Sequence, residues 1–91
     1  MSQEWPEALA LQVLAYIIKE STLCGRFLDL TGLDPGDLVT RTADKEFLGA
    51  VVEFLLSDEP SLLQFCAEAG IDPHLPARAH VLLAGSAPEW S

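Results

Sequence analysis

Two segments of this chain carry nearly the same wording 38 positions apart: FLDLTGLDPGDL at 27–38 and FCAEAGIDPHLP at 65–76. In each, four residues separate a Phe from a Gly, and an aliphatic residue, Asp and Pro follow. A Gly just past a helix enters the left-handed region without a Cβ clash and lets the last carbonyls find donors. Asp is a favoured N-cap, and Pro suits the first helical position, where its missing N–H is not needed. Each segment therefore reads as a helix stop followed by a helix start, with Leu33 or Ile71 tucked into the core at the corner. A chain punctuated in this way folds as short rods joined by tight corners.

The apolar spacing between the corners agrees. Pro6 suits the first turn of a helix at about 6–20, apolar around most of its circumference through Leu9, Leu11, Val13, Leu14, Tyr16, Ile17 and Ile18. Such a helix is buried by neighbours on several sides. Ser21 is the expected cap of a second helix with Leu23, Phe27, Leu28 and Leu30 on one face and Gly32 as its stop. Asp34 and Pro35 start a short third helix to about Arg41, with Asp37 placed to reach back to the cap. Thr42 or Asp44 caps a fourth helix at about 44–57, the second core helix, which carries Phe47, Leu48, Val51, Val52, Phe54, Leu55 and Leu56. Asp58 and Pro60 open a fifth, with Leu62, Leu63, Phe65 and Cys66 inward and Gly70 at its end. Asp72 and Pro73 lead to a sixth, ending near Leu83. Pro76 sits where an amide should bond back to the cap, so an irregular turn is expected over 72–75 and regular helix from near Pro76.

The offset of 38 also runs beyond the corners. Tyr16-Ile17-Ile18 aligns with Phe54-Leu55-Leu56, Glu20 with Asp58, and Gly32-Leu33-Asp34-Pro35 with Gly70-Ile71-Asp72-Pro73. One such unit has an apolar helix with no lid, and two can cover each other. The expected fold is all-α: one domain over residues 1–91, a compact bundle of about six helices built from two similar three-helix halves. Its ordered core runs from about 6 to 84, with residues 1–4 and 85–91 frayed at the ends. Apolar residues make up 49% of the chain, enough for a dense core and too many for a disordered chain.

Charge narrows the function. Fourteen acidic and five basic residues give a formal net charge of −9. A nucleic-acid binder needs clustered cations to displace counterions from phosphate. Here Lys19, Arg26, Arg41, Lys45 and Arg78 are scattered, and no two are adjacent. The start, MSQEWPEALALQ, is acidic where the cationic region of a signal peptide belongs. The longest apolar runs, Ala8–Ile18 and Phe47–Leu56, rise only about 16 Å as helix, roughly half a bilayer core. The expectation is a cytoplasmic protein with free thiols and no membrane span.

No motif assigns chemistry. Cys24, Cys66, His74 and His80 lack the close paired spacing of a structural zinc site, and the cysteines read as small apolar fillers. Asp34 with Asp37, and Asp58 with Glu59, lie at helix starts, where carboxylates meet the positive end of the helix dipole. There is no nucleophile elbow and no phosphate-cradling glycine loop. No catalytic, cofactor-binding or metal residue is expected, and the chain does not read as an enzyme. CAEAGIDPHLPARAHVLL has the cadence of a helix-turn-helix, but the second helix offers only His74, Arg78 and His80. What remains is a non-catalytic interaction module for a protein partner or for self-association, with Trp5, Trp90 and Tyr16 as aromatic candidates for contact. The alternative is a helix-turn-helix-like, DNA-associated regulator.

The ordered string EALALQVLAYI, GRFLDLTGLDPGDL, FLGAVVEFLLSDEPSLLQFCAEAGIDP and a terminal AxxLLxG resembles a family of short alphaproteobacterial proteins known only as a domain of unknown function, number 3572. The resemblance covers residues 7–85. His74 and Pro76 are departures from the family wording at the last corner. The resemblance implies a bacterial cytoplasmic protein of about this length, and it brings no activity, cofactor or functional residue to carry over.

Overall fold

The structure, a computed structural model, describes residues 4–84. It contains six helices: α1 (Glu4–Lys19), α2 (Ser21–Thr31), α3 (Pro35–Thr40), α4 (Lys45–Leu56), α5 (Glu59–Ala69) and α6 (His74–Ala84). No strand is present among the described residues. The N- and C-terminal stretches expected to fray, Trp90 among them, lie outside the described residues apart from Glu4.

The centre is a trio of helices. α1, α4 and α6 pack on one another, α2 lies against α1, and α5 lies against α4. Val13 and Ile17 of α1, Val51, Val52 and Leu55 of α4, and Ala79 of α6 are fully buried. Ala79 has no side chain beyond Cβ, which suits a close approach of α6 to its two neighbours. Removing a buried leucine or phenylalanine from such a core costs several kcal/mol, about 2–5.

Single residues turn the chain sharply. α1 and α2 meet at 110°. The corner is Glu20, in extended conformation at φ −96° and ψ 105°. Its N–H donates to the Ile17 carbonyl at 3.1 Å, and its carbonyl accepts from the Cys24 N–H at 2.9 Å. Asp58 repeats the arrangement between α4 and α5: its N–H donates to Leu55 at 3.1 Å, and its carbonyl accepts from Leu62 at 2.9 Å. Each partner stands 38 positions from its counterpart. Gly32 and Gly70 end α2 and α5 at φ +73° and +70°, as the twin corners require. Gly32 N–H donates to Leu28 and Gly70 N–H to Cys66, again 38 apart.

The correspondence of positions 38 apart does not extend to α3 and α6. α3 has six residues and no extensive contact with another helix, whereas α6 has eleven and braces both α1 and α4. At the first corner the Asp37 carboxylate reaches back to the Asp34 N–H at 3.1 Å, the reach-back read from the sequence. Leu75 stands in the place of Asp37 and has no carboxylate to do this. There the Asp72 carboxylate accepts from the His74 N–H at 2.8 Å, and the Asp72 carbonyl accepts from Leu75 at 2.9 Å.

Four expectations need correction. α6 begins at His74, not near Pro76. Pro76 falls in the first turn, where amides have no intrahelical acceptor, so its missing N–H leaves no bond unmade. Ser21 is the first helical residue and not the cap; Glu20 occupies that position without a side-chain cap bond. α1 is not enclosed all round, for Leu11 and Ile18 are 42% and 46% exposed on the side away from α4 and α6. Leu30 and Leu63, read as inward, face solvent. The fourth helix starts as read, with the Asp44 carboxylate accepting from the Glu46 N–H at 3.0 Å.

Candidate functional site: two related grooves

Two grooves lie between helices distant in the chain. The first, about 310 Å³, runs between α1 and α5. α1 supplies Gln12, Ala15, Tyr16 and Lys19, and α5 supplies Phe65, Glu68 and Ala69. The second, about 250 Å³, runs between α4 and α2. α4 supplies Ala50, Glu53, Phe54 and Ser57, and α2 supplies Phe27, Leu30 and Thr31. Every lining residue of one groove stands 38 positions from a lining residue of the other.

The floors match and the rims do not. Tyr16 and Phe65 meet edge to face with ring centroids 5.5 Å apart; Phe54 and Phe27 do the same at 5.3 Å. This is the preferred geometry of aromatic pairs. In the first groove Lys19 Nζ stands 5.3 Å from the Tyr16 ring centroid and 3.2 Å from Glu68 Oε1. The rim of this groove thus carries an exposed ion pair. Burial raises the Tyr16 phenol above its usual value, and Glu20 and Glu68 push in the same direction, so the hydroxyl keeps its proton at neutral pH.

In the second groove Ser57 stands in place of Lys19 and Leu30 in place of Glu68. Ser57 Oγ donates to the Phe54 carbonyl at 2.7 Å, and Thr31 Oγ1 donates to the Phe27 carbonyl at 2.9 Å. Both rim hydroxyls are turned back onto their own helices. Leu30 is 74% exposed, and Glu53, in the place of Ala15, is the one acidic side chain in the lining. His80 Nε2 lies 3.8 Å from Glu53 Oε1, and Arg26 stands 5.6 Å from the Phe54 ring centroid, 3.9 Å from Asp58.

The residues weighed from the sequence fall elsewhere. Cys24 and Cys66 are free thiols, half-buried and buried. Burial pushes the Cys66 thiol up, with Asp72 adding to the effect, which keeps it unreactive. No three His, Cys, Asp or Glu side chains converge on a metal position among the described residues. The Asp58 carboxylate accepts from the Ser61 hydroxyl at the start of α5 and makes no cap bond to a backbone N–H. His74 Nδ1 lies 3.0 Å from Asp72, whose carboxyl is held below the usual range chiefly by the His74 backbone N–H. On α6, Arg78 is exposed beside Val81 and Leu82. Of the aromatic candidates, Trp5 is exposed, but Tyr16 is buried as a groove floor and not a free anchor. The sequence reading missed both grooves, although their rims were legible: the alignment at offset 38 places Ser57 against Lys19 and Leu30 against Glu68.

No single helix is long and apolar enough to cross a membrane among the described residues. Neither the curated proteins nor the solved structures contain a match to this chain. A family model, described as protein of unknown function (DUF3572), matches residues 3–86, and with nearly the whole length covered the chain belongs to that family.

Proposed function

We propose that this chain is a non-catalytic helical module of the cytoplasm that binds another protein or a second copy of itself. The observation that carries the reading is the apolar surface left uncovered by its own core. Leu11 and Ile18 on α1, Leu30 on α2, and Val81 and Leu82 on α6 all face solvent. Exposed apolar side chains can serve as anchors, and a few anchors carry most of the binding energy at an interface. The free cysteines suit a reducing compartment.

Affinity capture from native cells and light scattering of the purified chain test the reading together. A specific partner, or a stable dimer, is the expected result. Replacing exposed pairs by serine (Leu11 with Ile18, Val81 with Leu82) identifies the face, because neither pair contributes to the core. A monomer that captures nothing specific rules the module out.

A further inference from the structure

The exposed residues of α1 follow a spacing that none of its neighbours explains. From Trp5 to Lys19 they fall into three rows of period seven: Ala8 with Ala15, Leu11 with Ile18, and Trp5 with Gln12 and Lys19. A seven-residue apolar repeat keeps one helix face turned toward a second helix along its length. This face bears no carboxylate, although the chain carries fourteen acidic residues. Thirty-eight positions on, α4 shows an ordinary solvated face: Glu46 and Glu53 hold the places of Ala8 and Ala15, and both are exposed.

The rows also specify an occupant. In an antiparallel pair of α1 helices related by a twofold axis, the two apolar rows face each other. With the axis level with Gln12 and Val13, Leu11 lies opposite Ala15 of the second copy and Ile18 opposite its Ala8. A large side chain then meets a small one in every layer. Parallel pairing would set leucine on leucine and alanine on alanine, and would leave alternate layers unfilled. The third row brings Gln12 beside Gln12 of the second copy, and Trp5 beside its Lys19. Trp5 is 39% exposed and the Lys19 side chain 58%, so both have surface to give. Lys19 keeps Glu68 at 3.2 Å, which offsets a carboxylate bordering the contact. Two copies of a chain with net charge −9 repel each other least through faces that carry no acid. The same net charge opposes an anionic lipid surface as the occupant.

We infer that the chain forms a twofold dimer through antiparallel α1 helices. Trp5 of each copy lies against Lys19 of the other, at the mouth of the α1–α5 groove. Gln12, Ala15 and Lys19 line that groove, so it is continuous with the seam. Apolar burial supplies the affinity, and the indole–ammonium contact fixes the direction. The inference rests on the reading of the chain as an interaction module and names a second copy as its partner.

Sedimentation equilibrium of the full chain, from micromolar to millimolar concentration, reads the dimer directly. The unaltered chain is expected to dimerise. Ala15→Glu sets a carboxylate opposite Leu11 of the second copy and weakens the dimer tenfold or more. Leu82→Glu, on α6, makes the same change in charge and leaves the dimer within twofold. Both positions are exposed, so the fold is retained, as circular dichroism verifies. Trp5→Ala weakens the dimer about threefold. Nitroxide labels read the direction, in a Cys24→Ser background where Cys66 is buried. Labels at Gln12→Cys lie side by side across the axis, whereas labels at Lys19→Cys stand about 21 Å apart along it.

A monomer at every concentration, a dimer indifferent to Ala15→Glu, or equal label distances at the two sites overturns the inference. So does a monomer that binds phosphatidylcholine vesicles through Leu11 and Ile18. A monomer that still captures a specific protein from native cells keeps the module and rejects the seam. A monomer that captures nothing rejects both.

Discussion

In the α1–α5 groove, Lys19 stands over Tyr16 and is tied to Glu68; in the α2–α4 groove the same three positions hold Ser57, Phe54 and Leu30. The buried aromatic pair is common to both because it is part of the core. Any change there creates a cavity or a clash, and either costs stability. The rim positions are exposed, and an exposed ion pair contributes only about 0–1 kcal/mol. A rim is therefore free to change its chemistry while the floor stays. Two sites on one scaffold can thus carry different surfaces at almost no cost to folding.

The floors themselves offer the severest test of this comparison. Phe27 meets two rings, Phe54 at 5.3 Å and Phe47 at 6.1 Å, while among the described residues Phe65 meets one, Tyr16 at 5.5 Å. Phe27→Ala is expected to cost about 4 kcal/mol and Phe65→Ala about 3 kcal/mol in urea unfolding. An equal or reversed order breaks the claim that the second floor is the more deeply knitted. A smaller effect sharpens the likeness of the corners. Gly32→Ala and Gly70→Ala are each expected to cost about 1 kcal/mol, because an alanine is strained at positive φ. A Cβ would meet nothing within 4 Å at either site, so backbone strain alone sets the cost and the two values should agree closely. A disparity shows that the two stops are held differently.

The smallest effect separates the two Asp-Pro corners. Asp72 is held below the usual carboxylate range, first by the His74 backbone N–H and then by the His74 ring. A carboxylate with a lowered folded pKa adds stability above its unfolded value, and that stability is lost as pH falls through the folded value. Asp72→Asn is therefore expected to lower stability slightly and evenly through the neutral and alkaline region and to flatten a small part of the acid limb, so that the variant and the parent converge at low pH. His74→Ala keeps the backbone donor, so the Asp72 titration followed by NMR should stay low. A full return to the ordinary range would assign the effect to the imidazole instead.

Much of this architecture was legible in the residues. Gly-aliphatic-Asp-Pro located both corners because each residue answers a local demand of the backbone. Val13, Val51, Phe27 and Phe65 were legible as core because helical spacing places them on one face. Local rules failed where tertiary packing decides. Leu11 and Ile18 lie on an apolar helix, yet none of the neighbours of α1 covers them. Leu30 shares a face with Phe27, but nothing in the chain covers the last turn of α2. The start of α6 was misplaced because Pro76 was weighed as a missing donor, when a first turn has no use for one. The grooves were hidden for a different reason: each is formed by helices far apart in the chain, and no local pattern declares that α1 will face α5.

The brace formed by α6 has a consequence for how the molecule is made. α1 and α4 are synthesised before residues 74–84 exist, and without α6 the strip that Ala79 and Leu83 fill has no cover. Closing it joins opposite ends of the described chain, a contact between distant residues that slows folding relative to neighbouring helix pairs. A nascent chain halted at Gly70 would hold its helices loosely and expose a greasy seam, and it would gain all-or-none unfolding only when the sixth helix emerges.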